Sequence, residues 1–113
     1  MAFNGINIHP LGYAQLTCAS ATITALTANS TIPGNANAAY IRAEIANVRW
    51  TDGSALGTLT LSGTAGNLMA AFISGTQVGD APLEYVGTLS NLQFIPVGGT
   101  AATVNLNYYK IFF

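Results

Sequence analysis

Residues 38–53 read AAYIRAEIANVRWTDG. From Ala39 to Ile45 the side chains alternate without a slip, with Ala39, Ile41, Ala43 and Ile45 on one face and Tyr40, Arg42 and Glu44 on the other. Such a period of two marks a half-buried strand, because successive side chains of an extended chain point to opposite sides. Asn47 breaks the register. Val48-Arg49-Trp50 resumes it, and Thr51-Asp52-Gly53 closes it in a tight turn, since glycine takes positive φ without steric cost. The only tryptophan and most of the few charges of the chain fall in this stretch.

Working outward toward the C-terminus, residues 57–61 (GTLTL) predict a short strand and residues 62–67 a loop. Residues 68–73 (LMAAFI) mix helix formers with strand formers, but six residues between glycine-rich flanks are too few for a stable helix, so a buried strand is expected. Residues 74–82 read as a loop, 83–86 and 89–96 as strands, and 97–100 (VGGT) as a hairpin connection. Residues 102–113 form the longest β candidate, in which Thr103, Asn105, Asn107 and Tyr109 oppose Ala102, Val104, Leu106 and Tyr108. Toward the N-terminus, residues 13–20 and 21–26 predict one long strand or two short ones split near Ala19-Ser20-Ala21. Ile32-Pro33-Gly34-Asn35 fits a type II turn with proline second and glycine third. Residues 1–11 read as an extended arm, because Phe3, Ile6, Ile8 and Leu11 have no period that docks them on their own sheet; the arm is expected to lie across a neighbouring subunit. Residues 12–113 are then a single domain. The expected fold is all-β, an antiparallel β-sandwich of jelly-roll or similar Greek-key topology with about eight short strands.

Half of the 113 residues are hydrophobic and only 6% are charged, against about a quarter charged in ordinary soluble domains. Thr, Ser, Asn and Gly must cover the surface, and little charge repulsion keeps copies apart, so a homo-oligomer, dimer or trimer, is expected. A net charge of −1 with Arg42, Arg49 and Lys110 as the only basic side chains argues against nucleic acid. No apolar run approaches the ~20 residues of a membrane-spanning helix, and the start MAFNG lacks the basic region of a signal peptide, so assembly in a cytoplasm is expected. Cys18 is the single cysteine and reads as a buried thiol.

No catalytic, metal or cofactor site is expected. His9 is the only histidine and precedes Pro10 in the arm, away from any group that could orient it for nucleophilic or metal chemistry. A glycosidase needs carboxyls about 5 to 10 Å apart, whereas Asp80 and Glu84 on one extended strand would stand about 13 Å apart. Glu44 is better suited to pairing with Arg42 or Arg49. Gly57, Gly63 and Gly66 are not followed by the Lys and Ser/Thr of a phosphate loop. Trp50 has two open readings, a core anchor at the sheet edge or an exposed interface contact. At the C-terminus Tyr108, Lys110 and Phe112 share one face and Tyr109, Ile111 and Phe113 the other, so both faces need cover. Either the arm covers the far face, or Ile111, Phe112 and Phe113 pack at a contact with another subunit or partner protein.

Three segments together carry a family resemblance: residues 43–53 (AEIANVRWTDG), residues 78–90 (VGDAPLEYVGTLS), and Phe94-Ile95 with the closing Asn105-Leu106-Asn107-Tyr108-Tyr109-Lys110. The chain resembles small structural proteins encoded in tailed-phage head gene clusters, some of which are capsid decoration (cement) proteins with a jelly-roll-like fold. Residues 54–77 are longer than the connection expected there. The resemblance implies a non-enzymatic protein, assembled in the host cytoplasm, that binds the major capsid protein on the outer surface of the virion and stabilises the shell. Its candidate partner contacts are Phe3, Ile6, Ile8, Trp50, Ile111, Phe112 and Phe113. The alternative is a tail-fibre or receptor-binding module that holds a carbohydrate on an exposed aromatic and an Asn/Asp cluster.

Overall fold

The computed structural model describes residues 7–53 and 60–112, apart from the side chains of residues 28 and 29. The strands are β1 (Asn7–Cys18), β2 (Thr24–Ala25), β3 (Ala38–Glu44), β4 (Val48–Thr51), β5 (Asn67–Met69), β6 (Leu83–Val86), β7 (Gln93–Pro96) and β8 (Ala102–Phe112). One helical turn, α1 (Leu26–Asn29), and a 3-10 turn at Leu89–Asn91 lie between them. Two four-stranded antiparallel sheets result, in the orders β1-β8-β3-β6 and β2-β7-β4-β5. Strand 1 pairs with 8, 2 with 7, 3 with 6 and 4 with 5, as in one long hairpin. Rolling that hairpin up sets β8 beside β3 and β7 beside β4, which is the jelly-roll arrangement. No helix among the described residues is long and apolar enough to cross a membrane.

The stretch 38–53 supplies both sheets. Ala39, Ile41 and Ala43 face the core from β3, and Val48 faces it from β4. Between them the chain changes sheet. Ile45 has a φ of 76°, a backbone conformation that β-branched side chains avoid, and its side chain is 60% exposed. The expectation that Ile45 joins the inner face is therefore corrected: alternation ends at Glu44, where the strand ends. Asn47 then fastens the corner. Its Oδ1 accepts the Ala71 N–H at 2.9 Å and a bond from Gln77 Nε2, and its carbonyl accepts the Val97 N–H at 2.8 Å. Gln77 Nε2 also donates to the Ala71 carbonyl at 2.6 Å.

Between the sheets the large buried side chains are Tyr108, Phe94, Leu16, Leu26, Ile41, Leu92 and Leu106. Burying each is worth about 1.5 to 3 kcal/mol. β8 presents Ala102, Val104, Leu106 and Tyr108 inward in order of increasing size, and within the same sheet Tyr108 is flanked by the small Ala39 of β3, Leu106 by Ile41 and Val104 by Ala43. Cys18 is buried as a free thiol, as read from the sequence.

Several expectations are corrected. The arm over residues 1–11 divides, since residues 7–11 belong to β1 and pair with β8 of the same chain, and residues 1–6, with Phe3 and Ile6, lie outside the described residues. A bulge at Leu11, between Pro10 and Gly12, hid this strand; Gly12 takes a φ of 139° there. Of the predicted strand 57–61, Thr60 and Leu61 are not strand and the rest lies outside the described residues. Residues 68–73 are strand only through Met69. Residues 89–91 form the 3-10 turn, leaving β7 to begin at Gln93. Residues 97–100 are no hairpin, because they join β7 in one sheet to β8 in the other. The turn at Pro33 is shifted by one residue, with the Ala36 N–H donating to the Pro33 carbonyl at 3.0 Å.

Replacing Asn47 by Leu removes the acceptor of the Ala71 N–H and one of the two acceptors of Gln77 Nε2, which keeps the Ala71 carbonyl. Each such loss costs about 1 to 3 kcal/mol, so urea unfolding of Asn47→Leu is expected to show a loss of at least about 2 kcal/mol. Asn47→Asp keeps the accepting oxygen and is expected to retain most of the stability.

Candidate binding surface

The two outer faces of the sandwich differ. On β4, Arg49 points away from the core, and its Nε and Nη1 donate to the Gly63 and Gly66 carbonyls at 3.0 and 2.9 Å. Ser62 closes the same loop, its N–H on the Ala65 carbonyl at 2.9 Å and its Oγ accepting the Ala65 N–H at 3.0 Å. Residues 61–66 are thus strapped to the outside of the β2-β7-β4-β5 sheet, with Leu61 and Ile95 buried. Arg49 serves this strap and not a pairing with Glu44, which corrects the expected ion pair for this arginine.

The outer face of the β1-β8-β3-β6 sheet carries no such cover among the described residues. Strand register sets its side chains in rows: Tyr13, Asn107, Tyr40 and Glu84; then Gln15, Asn105 and Arg42; then Thr17, Thr103 and Glu44. Tyr13 is 83% exposed, and Gln15, Thr17, Arg42, Glu44, Glu84 and Asn107 are exposed as well. Gln15 Nε2 donates to Asn105 Oδ1 at 3.0 Å, which ties the second row together. A shallow hollow of about 390 Å³ opens beside Tyr40, Pro82, Glu84 and Asn107. The surface offers amides, hydroxyls and aromatic rings with only three charged side chains in its rows.

At the far end of this face an apolar corner is closed within the chain. Ala38 and Ile111 are buried together, with Ile8, Tyr40 and Tyr109 packed around them. The Tyr40 and Tyr109 rings meet edge to face at 5.3 Å. Asn37 extends β3 with its side chain, as Nδ2 donates to the Ile111 carbonyl at 3.0 Å and Oδ1 accepts the Ile111 N–H at 2.8 Å. Ile111, expected as a possible partner contact, is 1% exposed and belongs to this internal cluster. Ile8 is half-buried against it. Phe112 is 50% exposed, with the His9 ring edge-on at 5.0 Å and Lys110 Nζ 5.7 Å from its centroid. Phe113 lies outside the described residues.

Trp50 sits half-buried on the core side of β4, its ring 6.0 Å from that of Tyr85 at 83°. The core reading of this residue therefore describes its packing. The Tyr85 hydroxyl donates to Asp52 Oδ2 at 3.0 Å. Asp52 also lines an open hollow of about 550 Å³ with Thr27, Ser90, Asn91 and Gln93, a polar grouping from three separate chain segments that sequence reasoning missed. Asp80 has a structural task, its N–H on the Ala70 carbonyl at 3.0 Å and its Oδ2 accepting the Ala70 N–H at 2.8 Å. Among the described residues no group of three or more His, Cys, Asp or Glu side chains is placed to hold a metal ion.

Burial, followed by the hydrogen bond and negative charge of Asp52, pushes the Tyr85 phenol up to about 12 from 10.0. The fold favours the neutral phenol, so its contribution to stability is intact below pH 10 and is lost as pH rises from there toward 12. Thermal melts across that window are expected to fall more steeply for the wild type than for Tyr85→Phe, which has no proton to lose.

No family model matches the chain, and no curated protein or solved structure matches it either.

Proposed function

We propose that the protein is a non-enzymatic capsid decoration protein of a tailed phage, which lays the open face of the β1-β8-β3-β6 sheet on the outer surface of the major capsid shell. The carrying observation is the asymmetry of the sandwich: one outer face is strapped by residues 61–66 through Arg49, and the other presents Tyr13, Gln15, Thr17, Asn105 and Asn107 uncovered. Amide, hydroxyl and tyrosine side chains suit a hydrogen-bonded contact in which aromatic anchors contribute most. The sequence resemblance to phage head proteins supports the same reading, and so, by fold-level analogy, does the frequency of jelly rolls in viral capsids. On this reading the protein sits on the virion exterior after assembly in the host cytoplasm, with the major capsid protein and a second copy of itself as partners, and with neither nucleic acid nor membrane among them.

The alternative of a carbohydrate-binding tail module rests on the hollow at Asp52, Asn91 and Gln93. Among the described residues its lining includes no aromatic ring for a sugar to stack on.

Mass spectrometry of purified virions is expected to find the chain in the head, at a copy number comparable with that of the shell subunits. Recombinant protein is expected to bind undecorated shells, and Asn107→Glu to weaken that binding tenfold or more, about 1.4 kcal/mol. Thr64→Glu, on the strapped side, is expected to bind as the wild type does. Absence from the particle, presence only in the tail, or glycan binding by a tail-bound chain would overturn the reading.

A further inference from the structure

We propose that residues 13–17 of β1 pair antiparallel with the same residues of a second copy, joining two four-stranded sheets into one continuous sheet across a two-fold axis. This goes beyond the capsid reading and stands or falls without it, since it concerns the isolated chain.

A sheet edge presents a row of unsatisfied N–H and C=O groups, and natural proteins shorten, charge, kink or cover such edges. Three of the four edges here are short: β2 has 2 residues, β5 has 3 and β6 has 4. β1 has 12 and ends its sheet, with β8 on one side and no described strand on the other. Its first half is guarded by Pro10, which has no N–H to offer, and by the bulge at Leu11. Its second half, YAQLTC, is regular, pairs with β8 without interruption and holds no charged residue. No loop backbone bonds to residues 13–18 among the described residues.

A second copy is the occupant that this edge fits. An antiparallel pair of identical strands closes under a two-fold axis, so each copy uses its one long edge and growth stops. Centring the axis on Gln15 sets Gln15 opposite Gln15 of the other copy and Tyr13 opposite Thr17. On the core side it sets half-buried Ala14 opposite Leu16. The Tyr13 with Thr17 pair, aromatic with β-branched, is of a kind that stabilises antiparallel sheets, and it occurs twice about the axis. A net charge of −1 leaves little repulsion between copies. The exposed Tyr13 at the margin of one sheet thereby becomes part of a face of doubled width.

Sedimentation velocity of the full chain over a concentration series is expected to show a monomer-dimer equilibrium. Gln15→Lys places two ammonium groups opposite each other and is expected to raise the dissociation constant at least tenfold, with the circular dichroism spectrum unchanged because Gln15 is exposed. Two double variants test the register independently of that substitution. Tyr13→Lys with Thr17→Lys sets like charges across the axis and is expected to be monomeric. Tyr13→Glu with Thr17→Lys sets opposite charges there and is expected to remain dimeric. A wild type that stays monomeric throughout, a dimer indifferent to Gln15→Lys, or two double variants that behave alike would overturn the proposal.

Discussion

The acceptance of three hydrogen bonds by Asn47 is the constraint on which this sandwich turns. A jelly roll requires the chain to leave one sheet and enter the other repeatedly, and each crossing exposes backbone groups that neither ladder can satisfy. At the β3 to β4 crossing one side chain and one carbonyl collect the Ala71 N–H, the Gln77 amide and the Val97 N–H. Segments before β6 and before β8 are thereby tied to the corner between the two sheets. The strained φ of Ile45 is tolerated because the partners of Asn47 hold the backbone on the far side of it.

Two further polar side chains do comparable work at the periphery. Asn37 completes the end of β8 by presenting an amide where the next residue of β3 would have paired. Arg49 offers two N–H groups to carbonyls that the 61–66 loop would otherwise leave to water. A chain with so few charges therefore uses amides and one guanidinium for tasks that ion pairs perform elsewhere. The outer face that remains is broad and polar, with amides, hydroxyls and tyrosines on the β1 and β8 side and Arg42, Glu44 and Glu84 on the β3 and β6 side.

Alternation made β3 and β8 legible in the sequence, and near-alternation the second half of β1, because their core-facing residues are apolar and most of their other residues are Tyr, Thr, Asn, Gln, Arg or Glu. The break at Asn47 was legible too, but its meaning as a change of sheet was not, since a turn within a sheet and a crossing between sheets share the same local signal. The same ambiguity made residues 97–100 read as a hairpin. Pro10 and Gly12 disguised the first half of β1 because they serve a bulge, and a bulge interrupts the period by which a strand is recognised. Ile111 read as surplus apolar surface because its cover comes from Ala38, Ile8 and Asn37, none of them near it in sequence. The strap over one sheet, and with it the asymmetry of the two faces, depends on bonds from Arg49 to backbone carbonyls at Gly63 and Gly66, which no side-chain pattern encodes.

In the proposed function the uncovered face of the β1-β8-β3-β6 sheet meets the partner, and a cryo-electron microscopy reconstruction of the virion at side-chain resolution would show it. Density for this chain is expected on the outer shell with Tyr13, Asn105 and Asn107 against the major capsid protein and the 61–66 strap turned to solvent. Contact through the strapped face, or a shell without this chain, would contradict it.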